Sequence, residues 1–273
     1  MSLREKLREA TPKAVREAIR SQQYMGDTSG LSGGYLQGNL AILPLEYATD
    51  LLRFCQRNPK PCPLIGVSET GDPYLPTLGH DVDIRTDVPQ YKVFIDGELV
   101  DCVSDVTEFW QDDFVTFVLG CSFSFEEALM AEGISVRHIE QNKTVPMFRT
   151  NIQTVQAGPF RGEIVATMRP LTVENAIRAI EITSRFPQAH GTPIHFGDPS
   201  AIGIADIGQP DFGEISELRD GEVPVFWACG VTPQIAIQNA KPSICITHAP
   251  GRMLITDILG ADAGRGSINK NRI

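Results

Sequence analysis

Apolar residues recur with helical spacing in several segments of this chain, and most of these segments begin with a capping residue. Thr11 followed by Pro12 is typical of a helix start, because the hydroxyl can accept a free backbone N–H and proline suits the first helical position. Thr172 stands before a second apolar face, and Thr232 with Pro233 before a third. The spacing predicts helices over 12–23, 45–57, 122–132, 173–187 and 233–240, and one or two more over 106–120.

Strand-like segments alternate with these helices. The clearest is a hairpin in which Asp96-Gly97 joins two apolar runs. Because continuous apolar runs are typical of strands buried on both faces, we expect an α/β fold with a mixed, partly parallel sheet flanked by helices and a smaller α+β portion. The larger domain is expected from 1–113 and 190–273, and the smaller from 114–189. Further strands are predicted at 61–67, 162–170, 223–230, 242–250 and 252–258.

The composition excludes several classes of partner. The 273 residues are 42% hydrophobic and 21% charged, with a formal net charge of −10. No Lys/Arg run forms a phosphate-binding stripe, so we expect no nucleic-acid partner. No apolar run approaches the ~18 residues of a membrane span, so we expect no membrane partner. Six cysteines without a CxxC pair favour a reducing cytoplasm. The glycine-rich, basic residues 260–273 are expected to pack poorly.

One loop concentrates side chains that could carry chemistry. The segment 190–211 holds His190, His195 and Asp198 among four glycines and three prolines. Glycine permits positive φ and proline removes a donor, so this segment is a poor helix or strand. Titratable groups on loops held by a rigid scaffold are frequently catalytic. A structural loop with hydrogen-bonded histidines is the alternative.

The spacing of these side chains leaves several chemistries open. It matches neither HExxH nor paired cysteines, so no cofactor is clearly indicated, although a divalent metal such as Mn²⁺ or Mg²⁺ stays open. General acid/base catalysis by His195 or His248 with an aspartate needs only hydrogen-bond reach and is favoured. A serine hydrolase is not favoured because GxSxG is absent. A pair between Cys121 or Cys229 and one of these histidines stays open.

A second candidate site begins the helix predicted after Gly120. A helix N-terminus presents free N–H groups and a partial positive charge, which suit a carboxylate or an oxyanion. Ser122 or Ser124 can cap this helix, and Glu126 lies in its first turn. The partial charge is expected to lower the pKa of the Cys121 thiol and to make it a nucleophile. A capped helix with a buried cysteine is the alternative that capping statistics favour.

Two arginines and two strand ends complete the candidates. Arg149 and Arg169 each lie at the edge of an apolar segment, where an arginine usually reaches solvent but two together could clamp a dicarboxylate. Cys229 and His248 follow predicted strands, and ligands of α/β sheets bind beyond strand ends. We therefore expect one pocket to collect Cys229, His248 and the segment 190–211.

Six motifs occur in order along the chain. They are GCSFSFEEAL (120–129), TVPMFRTN (144–151), GEIVATMRP (162–170), HGTPIHFGDPSAIGIADIGQPDFG (190–213), VPVFWACGVTPQ (223–234) and THAPGRMLITD (247–257). Together they resemble the D-glutamate cyclase family, also called hydro-lyases, over about Ser21 to Asp257. The resemblance implies a two-part α/β protein and dehydration of D-glutamate to 5-oxo-D-proline.

Such a dehydration needs a clamp for the α-carboxylate, a base, an acid and donors for the oxyanion. We assign these roles from the chemistry of the side chains and not from the family resemblance. This assignment takes Arg149 or Arg169 as the clamp, the backbone and hydroxyls from Cys121 to Ser124 for the oxyanion, His195 with Asp198 as the base, His248 as the acid, Glu126 for the ammonium group and His190 as a further substrate contact.

Two functions of other classes stay open at this point. One is a metal-dependent hydrolase of a small lactam, lactone or amide. The other is a non-catalytic protein that binds a small acid. In each case the partner is a small carboxylic acid or its derivative, and a homo-oligomer is compatible with the sequence.

Overall fold

The computed structural model describes residues 2–260, so the tail that we expect to pack poorly lies outside the described residues apart from Gly260. The helices are α1 (Leu3–Arg8), α2 (Pro12–Arg20), α3 (Leu45–Arg57), α4 (Phe123–Ala131), α5 (Arg137–Glu140), α6 (Val173–Thr183) and α7 (Val231–Ala240). The strands are β1 (Tyr35–Pro44), β2 (Leu64–Val67), β3 (Tyr91–Ile95), β4 (Glu98–Val103), β5 (Phe114–Gly120), β6 (Met147–Gln153), β7 (Glu163–Thr172), β8 (His195–Phe196), β9 (Glu222–Ala228), β10 (Ile244–His248) and β11 (Leu254–Leu259).

The predicted helices are confirmed as α2, α3, α4, α6 and α7, although no side chain caps α3, α4 or α7. Thr11 and Thr172 cap α2 and α6 as predicted, each hydroxyl accepting a backbone N–H at 3.3 Å. Thr232 does not cap α7, because this helix already begins at Val231. Its hydroxyl instead accepts the N–H of Val165 at 2.9 Å. That side chain therefore ties α7 to β7.

The larger sheet has the strand order β2-β5-β1-β10-β3-β4, and β11 also pairs with β1. β1 pairs with β5 along most of its length, starting from Gly38 opposite Gly120. The predicted hairpin is confirmed as β3 and β4. Asp96 and Gly97 at its turn have φ values of 51° and 85°, the geometry that matches the twist of the flanking strands.

The smaller sheet has the strand order β6-β7-β9-β8. Every pairing among the described strands of both sheets is antiparallel. The combination of helices and sheets confirms the α/β class. The antiparallel pairing shows that the prediction of a partly parallel sheet is wrong. A continuous apolar run shows that both faces of a strand are buried, and it does not fix the direction of that strand. Here β1 and β5 are buried on both faces although they pair in the antiparallel direction.

β5 is a second departure from the sequence prediction. The sequence predicts a helix that ends at Gly120, but Phe114–Gly120 form a fully buried strand between β2 and β1. Its phenylalanine and valine side chains favour a strand. A short apolar run lacks the periodicity that would separate the two structures. This strand carries the chain into the interior just before Cys121.

Two helices cross from one sheet to the other. α4 follows β5 of the larger sheet, but its Phe125 packs on Trp227 of the smaller sheet with ring centroids 5.7 Å apart. α7 follows β9 of the smaller sheet, but its Ile237 packs in a cluster with Leu43 and Phe117 of the larger sheet. Each helix thus bridges the two sheets, because α4 also contacts β1 of the larger sheet and α7 also contacts β7 of the smaller sheet. We call this arrangement the reciprocal crossing.

The two sheets draw on interleaved parts of the chain. β5 belongs to the larger sheet, whereas β8 and β9 belong to the smaller one. The domain boundaries expected after residues 113 and 189 stay a prediction. Within residues 2–260, no helix is both long enough and apolar enough to cross a membrane. All six cysteines are unpaired, and five are buried while Cys102 is exposed.

Candidate active site

A cavity lies where the two crossing helices begin, and residues of both sheets line it. Its empty volume of about 390 Å³ includes space that is open to solvent. The lining comes from segments that are far apart in the sequence. Its polar and titratable members are Asn39, Cys121, Ser122, Thr144, Thr167, Cys229 and His248, and its apolar members include Phe123, Val145, Met147, Val231 and Met253.

Two cysteines occupy equivalent places at the two helix starts. Cys121 stands between β5 and α4, and Cys229 between β9 and α7. The N–H of Val231 donates to the Cys229 sulfur at 3.5 Å, and the N–H of Phe123 donates to Cys121. Burial raises the pKa of Cys229 to about 11 and also raises the pKa of Cys121 well above its usual value. The expected lowering of the Cys121 pKa is therefore wrong, because desolvation outweighs the helix charge.

His248 ends β10 and is 1% exposed. The N–H of Leu40 donates to its Nδ1 at 3.1 Å, which leaves the proton of the neutral ring on Nε2. Burial lowers the pKa of His248 to about 4, so the ring is neutral at pH 7. A neutral imidazole is a weak acid, but its N–H can stabilise a developing negative charge. The arrangement fits a hydrogen-bond donor better than the acid assigned from the sequence.

Arg169 lies behind the cavity wall, with a side chain 3% exposed. Its guanidinium donates to the hydroxyls of Ser122 and Thr167, both at 3.1 Å, and forms an ion pair with Glu126. Its charge also lies 5.1 Å from the ring centroid of Phe125, a favourable cation–π contact. Arg169 therefore positions two hydroxyls of the cavity, and its own donors are directed at protein groups instead of a bound dicarboxylate.

Glu126 is the second buried charge of this network and is 1% exposed. Its carboxylate pairs with Arg169 and lies 3.1 Å from Nε2 of His138. The Ser29 hydroxyl donates to it at 3.4 Å. Burial by itself would raise the pKa of Glu126, but His138 and Arg169 outweigh burial and lower it to about 2. The carboxylate is therefore engaged within the protein, which differs from the expected contact with a substrate ammonium group.

Asn39 of β1 completes the polar wall. Its Nδ2 donates to the carbonyls of Leu119 and Gly120 at 3.2 and 3.0 Å. A Cβ atom at Gly230 would lie 2.2 Å from that same nitrogen. Only glycine lets α7 begin so close to the amide. The motif WACGVTPQ thus contains a glycine because of a contact with β1.

The central loop does not bring its histidine to this cavity. His195 lies in β8 opposite Phe226, and Phe226 lies opposite Met168. Neighbouring residues of a strand point to opposite faces, so Thr167 points away from the face that carries His195. Nε2 of His195 lies 2.7 Å from the carbonyl oxygen of Asp198. The pair expected to act as the base therefore lies on the other face of the smaller sheet.

Three other candidates from the sequence also lie away from the cavity. The Arg149 side chain is 44% exposed and pairs with a surface glutamate. His190 is buried with a φ of 75°, and its Nδ1 donates to the carbonyl oxygen of Lys60 at 2.9 Å. Ser124 lies inside α4 and accepts the N–H of Gln37 at 2.9 Å. The structure brings together Cys121, Ser122, Cys229 and His248 at the cavity, with Arg169 and Glu126 behind it.

The cavity does not fit Mn²⁺ or Mg²⁺. Its titratable groups, among the residues that the structure describes, are two thiols and one imidazole without a carboxylate. These cations prefer carboxylate and carbonyl oxygens. Between residues 2 and 260, no group of three or more His, Cys, Asp or Glu side chains is placed to hold a metal ion.

Sequence reasoning misses Thr144, Thr167 and His138. The sequence could have indicated Thr167, because residues two apart on a strand share a face and the candidate Arg169 is two residues further along β7. His138 lies in the one-turn helix α5, outside the six motifs, and Thr144 begins the motif TVPMFRTN but carries no titratable group. Only the folded chain shows that His138 meets Glu126.

Comparison with known proteins identifies close relatives. Residues 115–257 match the family model described as D-glutamate cyclase. A protein named "Putative hydro-lyase" from Verminephrobacter eiseniae is 59% identical over 253 residues, which are 93% of this chain and 92% of the relative. A protein from Bordetella pertussis with the same description is 61% identical over 89% of this chain and 87% of its own length. The solved structure of a nitrogen repressor-like protein from Methanococcus jannaschii aligns over 86% of this chain and 91% of that chain, at 8% identity and a TM-score of 0.36, too low to establish a common fold.

Proposed function

Because this chain belongs to the D-glutamate cyclase family, we propose that it is a hydro-lyase that converts D-glutamate, or a similar small amino acid, into 5-oxo-D-proline or the corresponding lactam. The observation that carries the proposal is the cavity at the two helix starts. Apart from Asn39, every residue named in its wall lies within the segment 115–257 that matches the family. Most of the cavity wall therefore lies within the segment that matches the family.

The cavity offers two places for carboxylate oxygens. The first turns of α4 and α7 direct partial positive charge at it. The hydroxyls of Ser122 and Thr167 are held in place by Arg169. A substrate with two carboxyl groups can therefore place one at each helix start. This orientation brings the amine near the distal carboxyl carbon and replaces a loose encounter by a positioned one.

His248 supports the charge that develops during ring closure. When the amine attacks the distal carboxyl group, negative charge grows on a carboxyl oxygen, and the neutral Nε2–H of His248 can donate to it. The amide of Asn39 is held against two backbone carbonyls and keeps that wall rigid. Proton transfers then fall to Cys121 and Cys229, the remaining titratable groups that the described cavity wall contains.

The test is incubation of the purified chain with D-glutamate, L-glutamate and 5-oxo-D-proline, followed by chiral chromatography. Parallel samples contain Mn²⁺, Mg²⁺ or a chelator. We expect D-glutamate and 5-oxo-D-proline to interconvert, L-glutamate to form lactam more slowly than D-glutamate and the chelator to have no effect.

The other outcomes separate the alternatives. Activity that the chelator abolishes and Mn²⁺ restores would contradict the proposed reaction without a metal and favour a metal-dependent hydrolase. A rise in melting temperature with D-glutamate but without turnover would indicate a binding protein, because a ligand of the folded state alone stabilises it. A folded chain that neither converts nor binds these compounds would refute the proposal.

A further inference from the structure

The reciprocal crossing relates the two thiols of the cavity. Cys121 follows a strand of the larger sheet and Cys229 a strand of the smaller sheet. Each is followed by a helix that contacts both sheets. The two sulfur atoms and the two helix starts therefore approach the cavity from opposite sheets. Ring closure at a distal carboxyl group does not require two thiols that lie at two helix starts.

The two thiols also influence each other. Negative charge on Cys229 raises the pKa of Cys121, as expected for neighbouring groups of like charge. The pair therefore favours one thiolate at a time over two. Within one cavity, a thiolate can act as a base while the neighbouring thiol acts as an acid.

We infer that Cys121 and Cys229 are an acid–base pair for the α-carbon of the bound acid, so that the site exchanges the α-hydrogen of an amino acid or its lactam with solvent and inverts that carbon. This inference rests on the proposed function, because it assumes the same class of substrate. It adds a second reaction at the same cavity.

The step balances without a co-reactant. The thiolate on one side takes the α-proton, and the electron pair of the broken C–H bond moves into the carboxylate as an enediolate. The thiol on the other side then gives its proton to the opposite face, where the electron pair forms the new C–H bond. The two cysteines exchange their protonation states, and nothing is oxidised or reduced.

The surroundings provide what this intermediate needs. Charge on an enediolate is stabilised by fixed donors in a water-poor site. The starts of α4 and α7, helices of 9 and 10 residues, direct their partial charges at the cavity. His248 adds a neutral N–H donor. Apolar side chains such as Met147 and Val231 fill the rest of the wall and strengthen these interactions by lowering the local dielectric.

The burial of both thiols predicts how the exchange depends on pH. The base is a thiolate, and burial raises the pKa of Cys229 to about 11. Below that pH the thiolate fraction grows about tenfold per pH unit. The exchange rate is therefore expected to rise by about a hundredfold between pH 7 and pH 9.

The experiment follows the α-hydrogen in D₂O. The full chain is incubated with D-glutamate, L-glutamate and each enantiomer of 5-oxoproline, with the α-¹H signal recorded by NMR and configuration by chiral chromatography. We expect loss of that signal for at least one compound and deuterium in the inverted product. Cys121→Ser and Cys229→Ser should each lower inversion at least ~100-fold. Cys245→Ser, at a buried thiol outside this cavity, should retain the wild-type rate.

Three results would overturn the inference: no exchange with any of the four compounds, inversion unaffected by either cavity variant, or a flat rate between pH 7 and pH 9. The pH profile of the wild-type chain decides the question if a serine variant does not fold. Exchange without ring closure would contradict the proposed function and leave the inference intact. Ring closure without exchange would support the proposed function and contradict the inference.

Discussion

The substitution Glu126→Gln tests whether the charge network behind the cavity holds the two sheets together. The variant keeps the size of the side chain and removes its charge, so buried Arg169 loses its counter-charge. The side chains of both partners are 3% exposed or less, so solvent screening is small. Removing one partner of such a buried pair usually costs about 3–5 kcal/mol.

A second route from the structure gives a similar magnitude. The pKa of Glu126 falls from its ordinary 4.5 to about 2 in the folded chain, where His138 and Arg169 outweigh the effect of burial. At about 1.4 kcal/mol per pH unit, this difference corresponds to about 3 kcal/mol. Because the folded pKa is the lower one, this stability is fully present above pH 4.5 and is lost as the pH falls towards 2.

The assay is urea unfolding of the wild type and the variant at pH 7, repeated down to pH 3. We expect Glu126→Gln to lower the free energy of unfolding by about 3 kcal/mol and to lose stability less steeply below pH 4.5. Glu163→Gln is the matched control, because Glu163 and Arg149 form an exposed pair worth less than about 1 kcal/mol. A loss at Glu126 no larger than the loss in this control would refute the reasoning.

Three further predictions follow from individual contacts. His248→Ala should lower turnover of the proposed substrate by about a hundredfold, which is the usual effect of losing one oxyanion donor. His195→Ala should leave turnover unchanged, and equal rates for the two variants would contradict the placement of the site. Burial lowers the pKa of His190 to about 4, so the unfolded chain binds a proton that the folded chain does not, and stability is lost as the pH falls from 6.5 to 4. The difference between the melting temperatures at pH 7 and pH 4.5 should therefore be smaller in His190→Asn than in the wild type. An equal difference would show that His190 does not cause the loss of stability at low pH. Gly120→Ala would place a Cβ 1.6 Å from the carbonyl oxygen of Gln188, so chemical unfolding should show a free energy of unfolding about 1–3 kcal/mol lower than that of the wild type. An unchanged free energy of unfolding would show that the backbone moves to accommodate the methyl group.

Local features of the sequence predict the helices well. The caps at Thr11 and Thr172 act within one turn, so a short window contains all the relevant information. The direction of strands depends on partners far along the chain, and β1 pairs with β10 and β11 about two hundred residues away. The sequence does not identify β5 as a strand, because its apolar run carries no periodicity.

The site was predictable only in part, for the same reason. Cys121, Cys229 and His248 stand at the ends of local elements, and the structure places all three in one cavity. His195 and Asp198 looked equally suitable, since the sequence does not show which face of a sheet a short edge strand presents. The contact between His138 and Glu126 joins two helices and leaves no mark in either sequence segment.

The reciprocal crossing has a consequence for how this chain folds. Neither sheet can complete its apolar core until the other has supplied a helix, since Phe125 and Ile237 each pack on the sheet that does not carry the preceding strand. We therefore expect the two halves to unfold in one cooperative transition, with slow folding because the required contacts are distant along the chain. The cavity is the junction between the halves. A half-folded chain would lack this cavity, so under the proposed function the number of active molecules in a sample should equal the number of completely folded ones.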